Sequence, residues 1–162
     1  MSDSTYTDDL HDPEIEALNL APTARSAAYA LKQAMPGVVF TSGRRDKADQ
    51  ARAMAENVVR NRKWIAATYA KSLLCTECQD WVDRHPSQKT AAEIEQGLLS
   101  VFNAASDEEL GGFSKHLAGM AFDIEPVRAN AEKIKHAILR LADLDKFLEQ
   151  EGGLVRWHAQ FK

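Results

Sequence analysis

Long apolar runs are absent from this chain. No stretch approaches the roughly 20 residues that a membrane-spanning helix requires, so membrane insertion is not expected. A surplus of positive charge is absent too: 20 Lys and Arg stand against 24 Asp and Glu, a net charge of -4. Nucleic-acid binders concentrate basic charge on one face, so no nucleic-acid partner is expected. The opening residues, MSDSTYTDDLHDPE, are acidic and polar, without the basic start and apolar stretch of a secretory signal. The expectation is a chain made in a cytoplasm that stays there unless another factor releases it. Cysteine is scarce. Cys75 and Cys78 form one CxxC in LLCTECQDW. A reducing compartment disfavours a structural disulfide. A thioredoxin-like pair follows a strand and opens a helix, whereas the residues from Asp46 onward read as helix. A structural zinc site wants a second ligand pair, and only His85 lies nearby. The pair reads as two ordinary cysteines of a helix or its end. Internal repeats and low-complexity linkers are missing as well.

What is present describes an ordinary globular chain. Its 162 residues make about one domain at roughly 150 residues each. Hydrophobic residues at 44% and charged residues at 27% sit near the globular average, which argues against wholesale disorder. A domain of this length buries roughly 68–70% of its unfolded surface, so its core needs no staple.

Residues 1–15, poor in apolar groups and without periodicity, read as a flexible tail, and 16–162 as a single domain. PTARSAAYALKQAM, from Pro22 to Met35, spaces Ala24, Ala27, Ala28 and Leu31 for one helical face, and Pro36-Gly37 ends it. VVFTSG reads as a strand. Asp46 is placed to cap a long helix extending to Leu74, with Ala51, Met54, Val58, Ile65 and Tyr69 on its buried side. Thr90 or Ser87 caps AAEIEQGLLSVFNA, and Ser106 opens a short helix closed by Gly111-Gly112. MAFDIEPV reads as a strand stopped by Pro126. Residues 130–142 read as a helix, Asp143–Gln150 as a short one, and LVRWHAQF as a final strand. Together these predict one α+β domain, a small antiparallel sheet packed against several helices.

Candidate chemistry gathers near the second strand. Between His116 and Asp123 lie Gly119 and small residues at 118 and 121. They point to a loop entering a strand, and they allow close approach of a backbone or a ligand. Imidazole and carboxylate both ligate zinc. A third candidate is His158, which alternation puts on one strand face with Arg156, Trp157 being on the other. Two histidines and one carboxylate leave a fourth zinc position open, as in catalytic sites. Spacing alone also allows His116 to cap a loop and His158 to be a surface histidine near a chain end.

Ser114-x-His116-x-x-Gly119-x-Ala121-x-Asp123 resembles the zinc motif of the D-alanyl-D-alanine carboxypeptidase and dipeptidase family. Many phage peptidoglycan endopeptidases belong to it, and it shares its fold with the Hedgehog signalling domain. That family carries an upstream Ser-Gly-aromatic-Arg segment, often with a Gln a few residues on. Here Ser42-Gly43-Arg44-Arg45 and Gln50 occupy those places, so Arg45 falls on the family's arginine and Arg44 replaces the aromatic. Trp157-His158 is similar to the family's Trp-His near the C-terminus. The three motifs run in order from about residue 38 to the end.

The resemblance implies that His116, Asp123 and His158 hold Zn2+ on the small sheet. It implies that Arg45 binds the substrate's carboxylate or the developing oxyanion, a task suited to its rigid fork. Ser42, Gln50, Ser114 and Trp157 fall on its substrate-binding side, Ser114 orienting the loop rather than attacking. One position departs: the family's catalytic Glu sits three residues before the last His, where this chain has Val155. Valine neither accepts nor passes a proton. Glu151, beside Gly152-Gly153, is the preferred substitute base, and Glu125, on the strand of Asp123, is the second.

The leading expectation is therefore a zinc-dependent peptidase acting on peptidoglycan peptides, encoded by a phage or prophage. It would be made in the bacterial host cytoplasm without a signal and act on the wall after release or as a virion component. The alternative is a non-catalytic zinc-binding virion or regulatory protein of the same fold that binds peptide without cleaving it. A third reading is a helical interaction protein, from Arg52, Arg60, Arg62 and Lys63 on the long helix, although such a charge run is usually a solvated face.

Overall fold

Six of the eight helices among the described residues begin where a side chain or a proline meets the first unpaired amides. A computed structural model describes the backbone of residues 11–151 and 154–162, and the side chains of residues 11–150 and 155–162. Among them are eight helices and a four-stranded antiparallel sheet, the α+β class with a small sheet expected from the sequence. Residues 16–162, read from sequence as one domain, form two compact units. One runs through Arg44 and resumes at Gly119, and the other is Arg45–Ala118. Each has its own apolar cluster.

The first unit opens with α1 (Pro13–Glu16), capped by the Asp12 carboxylate, which accepts from the amides of Glu14 and Ile15. This helix begins inside the stretch read as a tail and buries Ile15, while residues 1–10 lie outside the described residues. Helix α2 (Pro22–Ala34) has proline at its first position, where no intrahelical amide bond is lost. It buries Ala24, Ala27, Ala28 and Leu31, the face its spacing predicts. Strand β1 (Phe40–Ser42) follows, and after the second unit come β2 (Ala121–Ile124), α8 (Ala131–Leu139), β3 (Leu144–Glu151) and β4 (Leu154–Phe161). The sheet order is β1-β2-β4-β3. One face carries Phe122, Ile124, Trp157, Ala159 and Phe161 into the apolar cluster, where Phe40 meets Phe122 edge-on at 5.2 Å. Burying each large side chain there contributes roughly 1.5–3 kcal/mol.

Asp143–Gln150, expected to be helical, is instead most of β3. Leu144, Phe147 and Leu148 fall at the i, i+3, i+4 spacing of a helix. Pairing along β4, from Leu144 opposite Phe161 to Glu151 opposite Leu154, decides the outcome. Asp143 at φ 63° turns the backbone just before it.

The second unit is helical: α3 (Lys47–Arg60), α4 (Trp64–Thr68), α5 (Leu73–Arg84), α6 (Ala91–Ala104) and α7 (Asp107–Phe113). The single helix expected from Asp46 to Leu74 is thus three. Asn61 leaves the helix in an extended conformation, and its side chain accepts from the Lys63 amide. Arg62 then donates to the carbonyls of Val82 in α5 and of His85 and Gln88 beyond its end. Asp46 caps α3, and Thr90 rather than Ser87 caps α6. Helix α7 continues through Gly111 and Gly112, expected to close it, and ends at Phe113. The Phe113 ring lies 4.4 Å from that of Tyr69. Cys75 and Cys78 are free, buried thiols of α5, and burial pushes Cys78 up to about 12.

Candidate metal centre

The centre starts from a single row of residues across the sheet. Register sets Asp123 of β2 directly opposite His158 of β4, with Ser42 of β1 beyond Asp123 and Leu148 of β3 beyond His158. Side chains in such a row share one face, here the one opposite the apolar cluster. His158 Nδ1 lies 2.9 Å from Asp123 Oδ1. Ser42 Oγ donates to the other carboxylate oxygen, Oδ2, at 2.7 Å. On its far side, His158 Nε2 lies 2.9 Å from Oε1 of Gln160, whose Nε2 donates to Asp145 Oδ2 at 2.9 Å.

His116 belongs to the turn between α7 and β2. Ser114 ends α7, and its carbonyl accepts from the Leu117 amide. Gly119 leaves the turn at φ 72°. Among the described residues, five polar or charged side chains are buried, and three of them are His116 (4% exposed), Asp123 (1%) and His158 (3%). One ligand atom from each of these three lies within 4.8 Å of the others. Burial of a carboxylate and two imidazoles is costly unless they pair or hold a cation. A tetrahedral zinc centre with bonds of about 2.0–2.2 Å separates its donor atoms by roughly 3.3–3.6 Å. The Asp123–His158 pair, at 2.9 Å, would open slightly to accept an ion, and all three donors lie within 4.8 Å of one another. These three residues could hold a metal ion. Hard carboxylate with borderline imidazole suits zinc, and also other first-row divalent ions.

The Ser42–Arg45 segment is engaged residue by residue. Ser42 orients Asp123. Gly43 packs on Leu18, whose Cβ and carbonyl oxygen would each lie 2.6 Å from an added Cβ. Arg44 donates from its amide to Leu18 and from Nε to Asn19. The Arg45 amide donates to the His116 carbonyl at 3.0 Å, and its Nη1 donates to Gln50 Oε1. Gln50 in turn donates to the Tyr69 hydroxyl, whose pKa burial raises. Ser42 and Gln50, expected to meet substrate, are thus held by Asp123 and by Arg45 with Tyr69.

Other expected site residues lie elsewhere. Trp157 is on the apolar face, packed in the cluster with Lys135 Nζ 5.4 Å from its ring centre, so it is a core residue there rather than a substrate contact. Glu125 is exposed just past β2, its amide donating to the Val39 carbonyl. The Glu151 side chain lies outside the described residues. Val155 is 65% exposed. A bulge in β4 sets Val155 opposite Gln150 while His158 stands opposite Leu148, so the register returns Val155 to the His158 face. Sequence reasoning missed Gln160 and Asp145. Alternation two residues beyond His158 was the available signal for Gln160. No family model, no curated protein and no solved structure matches the chain.

Proposed function

We propose that this protein is a zinc-dependent peptidase that hydrolyses amide bonds of bacterial peptidoglycan peptides. What carries the reading is the set of His116, Asp123 and His158 ligand atoms within 4.8 Å of one another, the residues and order of the family that the chain resembles. These three residues would hold the ion. Bound zinc supplies Lewis acidity toward a carbonyl oxygen and lowers the pKa of water. Ser42 restrains one oxygen of Asp123. Arg45, tethered at Nη1 by Gln50, offers a planar fork suited to the substrate carboxylate or the developing oxyanion. Glu151 is the proposed general base. In this reading a phage or prophage encodes the protein, which is made in the host cytoplasm and acts on the wall after release or as a virion component.

Val155 favours a second reading, in which the centre binds metal and peptide without cleavage. It is apolar and exposed and supplies no base, and because the bulge in β4 returns it to the His158 face, Val155→Glu is the variant expected to gain hydrolysis if the base alone is missing. Purified protein should carry about one zinc per chain, and His116→Ala should lose most of it, because two ligands hold zinc poorly. Full zinc retention in separate alanine variants of His116, Asp123 and His158 would overturn the metal assignment. Glu151→Gln should keep zinc while peptidoglycan hydrolysis falls about 10²–10⁴-fold, the usual worth of a general base. Zinc-loaded wild type that releases no wall peptides would replace the peptidase with the binding protein.

A further inference from the structure

Beyond the three candidate ligands, one hydrogen-bonded chain on the same sheet face has no counterpart in the peptidase reading. It runs from Asp123 through His158 and Gln160 to Asp145. We infer that Gln160, oriented by Asp145, is a positioning residue that commits His158 to bind metal through Nδ1. The inference rests on the metal reading above and deepens it.

The argument starts from the carboxylate. Asp145 Oδ2 lies 2.9 Å from the Gln160 amide, and an ionised carboxylate only accepts, so the Nε2 end of the amide faces it. That leaves the amide oxygen toward the imidazole, 2.9 Å from His158 Nε2. An amide oxygen only accepts, so Nε2 carries a ring proton. Nδ1 faces Asp123 Oδ1 at 2.9 Å, and because that carboxylate also only accepts, a proton lies between them at the place a metal would take on binding. Ser42 makes the matching choice on the carboxylate, where its hydroxyl occupies Oδ2 and leaves Oδ1 toward Nδ1. Metal-bound histidines characteristically donate their second N–H to such an acceptor, which fixes tautomer and ring orientation. Gln160 reaches this role through register: it pairs with Ala121 and with Lys146, next to Asp145 on the neighbouring strand.

The test is zinc affinity of the full chain, measured by competition with a chromogenic chelator, alongside the visible absorption of the cobalt-substituted protein. Gln160→Leu removes the acceptor and should weaken zinc about 10–100-fold, the usual cost of losing an outer partner. Asp145→Asn lets the amide reverse and should also weaken zinc, by less. Combining Gln160→Glu with Asp145→Asn exchanges donor and acceptor without changing shape. That pair should return zinc affinity to within a few-fold of wild type and restore the cobalt bands, which a purely structural role for Gln160 does not predict. Wild-type affinity and bands in both single variants would overturn the inference while leaving the metal reading intact. A folded double variant no better than Asp145→Asn alone would also overturn it, and this comparison holds even where Gln160→Leu does not fold. Wild type that binds neither zinc nor cobalt would remove the metal reading and the inference together.

Discussion

Gly119 shows how one residue can serve backbone and neighbours together. Its φ of 72° lies in the left-handed region, which costs an L residue roughly 1–2 kcal/mol. A Cβ there would come within 2.6 Å of Arg44 Nη2 and 2.9 Å of the Ala21 nitrogen. The guanidinium can swing away, but the Ala21 amide donates to the Gly119 carbonyl and is held by it. Overpacking of this kind adds roughly 1–3 kcal/mol. Gly119→Ala should therefore lower unfolding free energy by about 2–5 kcal/mol in urea titration. A change below half a kcal/mol would show that the turn adjusts freely. The small residues around Gly119 were legible in the sequence as a place of close approach. The approaching groups were not, because Ala21 and Arg44 come from remote parts of the chain.

At the scale of elements, the clearest local signals are caps. Thr90 Oγ1 accepts from the Glu93 amide, while Glu93 Oε1 accepts from the Thr90 amide, so two otherwise unpaired donors are satisfied at the start of α6. Thr90→Ala should cost about 1 kcal/mol, measured as a shift in denaturation midpoint, whereas Thr90→Ser should cost little. An equal loss in both variants would mean that the methyl group, not the hydroxyl, matters. Elements whose identity depends on such local chemistry were readable: α2 from its alanine spacing, α6 from Thr90 and Glu93, β4 from LVRWHAQF. Those decided by distant partners were not. Leu144, Phe147 and Leu148 keep helical spacing, and only pairing with β4 makes the segment a strand. The break at Asn61 depends on carbonyls at Val82, His85 and Gln88, which no window around residue 61 contains.

For the whole molecule, the same division governs the centre. His116, Asp123 and His158 could be named because their residue types are rare in apolar surroundings and their order resembles that of a zinc motif. Their supports could not: Ser42 reaches Asp123 across 81 positions, and Gln160 reaches Asp145 across 15 and a strand bulge. The 81-position span has a kinetic consequence. Bringing the ends of a flexible chain of that length together costs about 4 kcal/mol in its length-dependent part alone. The Arg45–Ala118 unit has its own apolar cluster, and its termini meet where the Arg45 amide donates to the His116 carbonyl. Once that unit has formed, the search that joins β1 to β2 shrinks from scores of residues to a few. Refolding is then expected to begin among the helices and to finish in the sheet. Phe102→Ala, in the helical cluster, should slow refolding, whereas Phe161→Ala, in the sheet cluster, should chiefly speed unfolding. Stopped-flow traces with the opposite assignment would mean that the sheet nucleates first. With the expected one, the helical insert acts as a clasp that draws two distant strands to the starting point of their ladder.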